Sequence, residues 1–246
     1  MNPSQTSTID QAMQVALKHH QSGRLPQAEA IYRQILQAEP NHSDALHFLG
    51  IIAYQGGKDE VAVEFISKAI SIKPSGLMYC NLGLSFRAQG KLDAAIESYR
   101  KALSLEPNDV ETHYNLGLAL HAQDKFDAAV ESFHKALLLD PNYAEAHNNM
   151  GLALHAQGNL DEAVKSYRKA LSLNHEFAEA HANLGSALGA QGKLEEAVAS
   201  LHKALALKPD FDEAHLTVIA VAATPDDERN YGVEGGGVRS RNFLAV

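Results

Sequence analysis

Tryptophan is absent from the 246 residues, and cysteine occurs once, as Cys80. A lone thiol forms no internal disulfide, so the sequence does not read as a stapled secreted scaffold, and a reducing cytoplasm is the expected location. Long apolar runs are missing too. The longest, residues 216–223 with Thr217 inside it, falls far short of the about 20 residues that span a bilayer. The first residues, Met-Asn-Pro-Ser-Gln-Thr-Ser-Thr, have neither the basic start nor the apolar stretch of a secretory signal. Positive charge is in deficit. With 21 basic against 30 acidic side chains the formal charge is −9, the wrong sign for non-specific binding of polyphosphate. Neither nucleic acid nor membrane is therefore an expected partner. What is present is a globular composition, 45% hydrophobic and 21% charged, with 17 glycines and 8 prolines to be accounted for.

Those punctuating residues keep a register. Pro40, Pro74, Pro107, Pro141 and Pro209 are separated by 34, 33, 34 and 68 residues, with His175 where a sixth belongs. Gly50, Gly83, Gly117, Gly151 and Gly185 repeat on the same period, and Gly23, Gly57, Gly90, Gly158 and Gly192 repeat it seven residues after the matching position. Alanines share it, from Ala28, Ala62 and Ala95 to Ala129, Ala163 and Ala197. The chain is a tandem array.

Within residues 144–177 apolar or small residues fall at i, i+3, i+4 and i+7, which predicts two amphipathic helices of three to four turns. Gly158 supplies a left-handed cap between them. Asp93, Asp127, Asp161 and Glu195 open the second helices, while Lys or Arg fills their later turns, complementing the helix dipole. Proline then ends the unit. Small residues such as Gly117 and Ala129 are placed where the two helices cross. Tyr32, Tyr99, Phe133 and Tyr167, four residues after those alanines, are expected to fill the gap to the next unit. One helix pair alone cannot bury such a face; stacked neighbours can.

This Leu-Gly, Ala, aromatic, Ala, Pro framework resembles the tetratricopeptide repeat. Six units are readable, 9–42, 43–75, 76–109, 110–143, 144–177 and 178–211. They follow an N-terminal extension, 1–8, and precede a partial seventh unit or capping helix, 212–223, and a tail, 224–246, that reads as disordered. Leu46, Tyr79, His113, His147 and His181 stand at the position of the family's tryptophan, and Asp124 replaces a turn glycine. The resemblance implies an all-α, right-handed α-solenoid of helix-turn-helix repeats, with first helices lining a concave groove and second helices outside.

The sixth position of successive first helices is Gln14, Phe48, Asn81, Asn115, Asn149 and Asn183. Asparagine is a mediocre helix former. A carboxamide can donate to one backbone group and accept from another, so a row of them can hold an extended peptide without reading its side chains. If first helices step by roughly 10 Å and an extended chain by about 3.3 Å per residue, each Asn meets every third peptide residue. At roughly 0.5–1.5 kcal/mol per hydrogen bond, before the peptide's ordering cost, micromolar or weaker binding is expected. The row resembles the one in the superhelix of O-linked N-acetylglucosamine transferases, where it engages peptide backbones. In the other reading the asparagines only bond along neighbouring helices.

Tyr54, Arg87, His121 and His155 lie further along the same face and complete the candidate peptide-binding set. Position two is nearly always acidic, as in Asp44, Glu111, Glu145 and Glu179, which suits a helix start and also a rim that attracts basic peptides. His113, His147, His181 and His215 recur one repeat apart, too far to converge on one metal, and read as helix-packing residues. Cys80 is placed on the groove side as an ordinary small residue. No phosphate loop, nucleophile elbow or zinc pair appears, so no cofactor, metal or catalytic residue is assigned. The expected function is a non-enzymatic adaptor for a protein or peptide partner, monomeric or weakly dimeric through the apolar end helix. The alternative is the substrate-docking arm of a truncated or split glycosyltransferase or sulfotransferase.

Overall fold

The computed structural model describes residues 3–222, with side chains placed for 8–221. It holds thirteen helices and, among the described residues, no strand: α1 (Pro3–Gln21), α2 (Leu25–Ala38), α3 (Ser43–Gln55), α4 (Asp59–Ile72), α5 (Gly76–Ala88), α6 (Leu92–Leu105), α7 (Val110–His121), α8 (Phe126–Leu139), α9 (Ala144–Ala156), α10 (Leu160–Leu173), α11 (Ala178–Ala190), α12 (Leu194–Leu207) and α13 (Asp212–Ala222). This is an all-α solenoid of tandem helix pairs. Among the described residues no helix is long and apolar enough to cross a membrane. The tail from 224 lies outside the described residues. The chain divides into two compact units, residues 1–157 with α1 to α9 and residues 158–246 with α10 to α13.

Local chemistry sets the helix ends. His42, Ser75 and Asp109 each accept a hydrogen bond from the backbone N–H three residues on, capping α3, α5 and α7. Between the helices of a pair the chain reverses through a left-handed residue, with φ +71 at Gly90 and +80 at Gly158. Asp124 takes the same conformation at φ 55, the one non-glycine to do so among the described residues.

In the first unit the core is a chain of clusters, over α1 to α3, α3 to α5 and α5 to α9. Ala28, Ala62, Ala95 and Ala129 are fully buried, which lets the paired helices approach closely. Opposite them lie the glycines. A Cβ on Gly83 would sit 2.5 Å from the Tyr99 ring, and one on Gly117 would sit 2.6 Å from the Phe133 ring. These aromatics therefore lie across the glycine of their own pair, which corrects the expectation that they chiefly bridge to the next unit. Tyr32, whose own pair has Ala16 at the glycine position, stacks on Phe48 of the following pair at 5.5 Å. In the second unit Gly185 faces Leu201 in the same way. There α13 packs on α11 and α12 and leaves Leu216 and Ile219 exposed.

Glutamine and aspartate tie neighbouring pairs at their turns. Gln123 donates to Asp93 at 2.9 Å and Gln157 to Asp127 at 2.6 Å; in the second unit Gln191 donates to Asp161 at 2.8 Å. The matching Gln89 has no partner for its buried amide nitrogen and oxygen. The position that would serve it holds Glu60, one methylene longer than aspartate.

Candidate peptide-binding face

In the first unit α3 touches α5, α5 touches α7 and α7 touches α9, whereas no comparable approach joins successive second helices among the described residues. Helices converge on the inner side of a curved stack, so the first helices line the inner face of this unit.

Position six of these helices carries Asn81, Asn115 and Asn149. Asn81 is half-buried, and its Nδ2 lies 2.9 Å from His47 Nε2. The amide nitrogen only donates, so His47 accepts at Nε2 and carries its proton on Nδ1. His47 is 3% exposed, and burial pushes its pKa down to about 4 against the opposing pull of Asp44. Asn149 donates to the Tyr114 hydroxyl at 2.9 Å. Each bond runs from position six of one repeat to position five of the repeat before it. Asn115 is buried but has no hydrogen-bond partner for its carboxamide among the described residues. Asn183, on α11 of the second unit, is half-buried.

A second row stands six residues further along: Tyr54, Arg87, His121 and His155, all half-buried. The Arg87 guanidinium lies beside the Tyr99 hydroxyl and favours ionisation of both Tyr99 and Tyr114, while burial, the larger effect, pushes both phenols up. The His121 ring packs edge-on to Phe126 at 5.3 Å. Burial lowers the pKa of His121, opposed by Asp124, and lowers that of His155. Sequence reasoning missed His20, which occupies the same row on α1 six residues after Gln14. It packs edge-on to Phe48 and Tyr32, and burial lowers its pKa as well, opposed by Gln55. Its spacing was the available signal.

Tyr114 and Tyr143 were missed too. Their rings lie 4.8 Å apart, and Tyr143, just before α9, has its pKa pushed up to about 12 by burial, then by Tyr114, Glu111, Glu145 and Asp140. Aromatics recurring at Tyr143, Phe177 and Phe211 were the sequence signal for the latter. The inner face of this unit thus offers carboxamides, aromatic rings, one guanidinium and first-turn carboxylates.

Two expectations need correction. Cys80 is 5% exposed and packs in a core cluster with Ala95 and Leu116 rather than on the groove side; burial pushes its thiol pKa up. The recurring histidines do more than pack helices. His113, His147, His181 and His215 bond through Nε2 to the carbonyl six residues earlier, of Pro107, Pro141, His175 and Pro209 respectively, at 2.9–3.1 Å. Each pins the incoming turn to its first helix. Among the described residues no three His, Cys, Asp or Glu side chains gather as metal ligands would.

A helix-pair stack with such an inner face defines a repeat protein built for protein contact. Models of the tetratricopeptide repeat match residues 16–76 and 178–211, and a TPR repeat model matches 83–124, 119–158 and 153–192. Together these take in well over half of the chain, which belongs to the tetratricopeptide repeat family. Proteins of this family generally mediate protein–protein interactions. No curated protein matches the chain.

Among solved structures, the chain is similar to pilF of Pseudomonas aeruginosa, with TM-score 0.77 and 20% identity over 88% of this chain and 99% of that one. It is similar to MamA, with TM-score 0.62 and 28% identity over 67% of this chain and 97% of that one. YrrB, a TPR protein with an unusual peptide-binding site, aligns with TM-score 0.66 and 22% identity over 75% of this chain and 96% of that one.

Proposed function

We propose that this protein is a non-enzymatic adaptor that holds an extended segment of a partner protein on the inner face of its first unit. The row of carboxamides carries this reading. Asn81 and Asn149 each commit one N–H to the preceding repeat, which orients the side chain and leaves a second N–H and the carbonyl oxygen for a peptide backbone. Asn115 commits neither. Tyr54, Arg87, His121 and His155 flank the row, and Asn183 is the matching residue of the second unit. Because the asparagines address backbone, selectivity falls to Arg87 and to the carboxylates Glu111 and Glu145, the latter favouring basic residues in the partner.

A peptide array screened by fluorescence polarisation tests the reading. The Asn115→Ala variant loses no internal bond, so its fold is retained. Combined with Asn149→Ala it should weaken peptide binding at least tenfold, with thermal melts confirming that the double variant is folded. Binding equal to wild type in the folded double variant refutes the carboxamide mechanism.

A further inference from the structure

The second unit holds a cavity of about 490 Å³ among α10, α11 and α12 that the peptide face does not use. Arg168 and His175 line it from α10 and the turn after it, His181 from α11, and Lys203 from α12. No carboxylate lines it, in a chain whose formal charge is −9. Leu171 and Leu184 supply an apolar wall.

The carboxylates nearest in sequence are already engaged. Glu196 holds Arg168 at 2.7 Å, Glu179 faces Lys208 at 3.6 Å and Glu176 lies 3.9 Å from His175. Lys203 has no carboxylate within 4.0 Å among the described residues, and its ammonium disfavours protonation of His181. The first unit handles the same positions differently. Two repeats earlier Lys135 is neutralised by Glu131 at 2.7 Å, and Ala199 replaces that glutamate here. Glu97, which faces Lys101 at 3.5 Å, is replaced by Lys165, and Pro107 by His175. Among the lining residues the comparison leaves Lys203 without the glutamate that neutralises Lys135 and adds His175, while Glu176 for Asn108 and Glu196 for Ala128 are gained nearby and are engaged by His175 and Arg168.

A buried polar atom is also left over. His181 is 8% exposed, and its Nε2 bonds the His175 carbonyl. A carbonyl only accepts, so Nε2 carries the proton and Nδ1 is a buried lone pair with no partner. The Ser172 hydroxyl is spent on the Lys169 carbonyl, whereas Ser200 still has its O–H to give.

We propose that this cavity binds an anion, a phosphomonoester carried on a serine or threonine of a partner protein. The Lys203 ammonium and Arg168 guanidinium meet the phosphate charge, the Ser200 hydroxyl donates to it, and the leucine wall takes the adjoining methylene or methyl group. The volume far exceeds one inorganic phosphate and suits a modified side chain with its flanking backbone. A recess between helices admits such a side chain but not the plane of a bilayer. The site shares no residue with the asparagine row, so each can fail without the other.

The test titrates the full chain, followed by NMR of the histidine rings and by calorimetry, with four probes: inorganic phosphate, a phosphoserine peptide, the same peptide unmodified, and phosphatidylserine–phosphatidylcholine vesicles. The phosphopeptide should shift the His175 and His181 resonances and raise the pKa of His181, because a dianion offsets the Lys203 charge. The unmodified peptide should bind at least tenfold more weakly, and inorganic phosphate should compete. Exposed Lys203 can be changed without disturbing the fold. Lys203→Gln should weaken phosphopeptide binding at least tenfold, Lys203→Arg should restore most of it, and Lys135→Gln in the first unit should have no effect. The proposal is overturned by equal binding of both peptides, by binding that survives Lys203→Gln, by vesicle binding without phosphopeptide binding, or by no response to the phosphopeptide at millimolar concentration.

Discussion

Asn81 donates its Nδ2 proton to Nε2 of His47, one repeat earlier, across 2.9 Å. That bond fixes the tautomer of a buried imidazole and the orientation of a carboxamide on the inner face, so stability and the proposed recognition share one contact.

Acid should break it. The folded pKa of His47, about 4, lies below the unfolded value of 6.5, so the stabilisation is complete above about pH 6.5 and is lost as the pH falls toward 4. Between pH 7 and 4.5 this residue should cost about 2 kcal/mol. His20, His121, His155 and His181 are shifted the same way and add to the slope. Urea unfolding across that range should show a shallower pH dependence in His47→Gln; an unchanged slope would falsify the assignment.

Close approach at the pair crossing should make Gly117→Ala destabilising. Its Cβ would fall 2.6 Å from the Phe133 ring, which is fully buried and has nowhere to retreat. Overpacking of this kind costs about 1–3 kcal/mol. Pairing it with Phe133→Leu, the residue that faces Gly185 as Leu201, should recover part of the loss in denaturant unfolding.

Tyr167→Phe should leave stability unchanged or raise it by up to about 1 kcal/mol. The Tyr167 hydroxyl is buried without a partner, and Phe133 shows that a bare ring fits the equivalent position. A loss above about 1 kcal/mol would reveal a hydroxyl partner.

Asp124→Gly should stabilise by about 0.5–1 kcal/mol, since the residue sits at φ 55 where its neighbours in register are glycine. The same change removes the carboxylate that favours protonation of His121, whose pKa should fall further. Calorimetry and a histidine NMR titration read the two effects separately.

Glu60→Asp should stabilise by about 0.5–1.5 kcal/mol by giving Gln89 the partner that Gln123 finds in Asp93. A melting temperature at or below wild type would show that the shorter 33-residue spacing between Pro74 and Pro107 also displaces the backbone there.

Much of the helix architecture was legible because it rests on local chemistry and on small residues. Gly83, Ala95 and Gly90 recur because a crossing, a close contact and a left-handed turn each exclude larger side chains. The candidate face was legible in part. Asn81, Asn115 and Asn149 were visible as a row, but their partners His47 and Tyr114 were not, since the partner position changes residue type from repeat to repeat. Cys80 illustrates the same blind spot. It precedes Asn81 by one residue, about 100° around the helix, close enough to the groove edge that periodicity alone placed it on the groove side, where packing does not.

From the sequence alone came the repeat, the helix pairs, the turn residues and the row of carboxamides, because each is set within one unit or by exact recurrence between units. Tertiary structure alone decided which neighbours those side chains meet. Whether position five points into the next repeat or toward solvent depends on how successive helices are rotated against one another. For the same reason the gathering of Arg168, His181 and Lys203 around one cavity becomes visible only once three helices are packed.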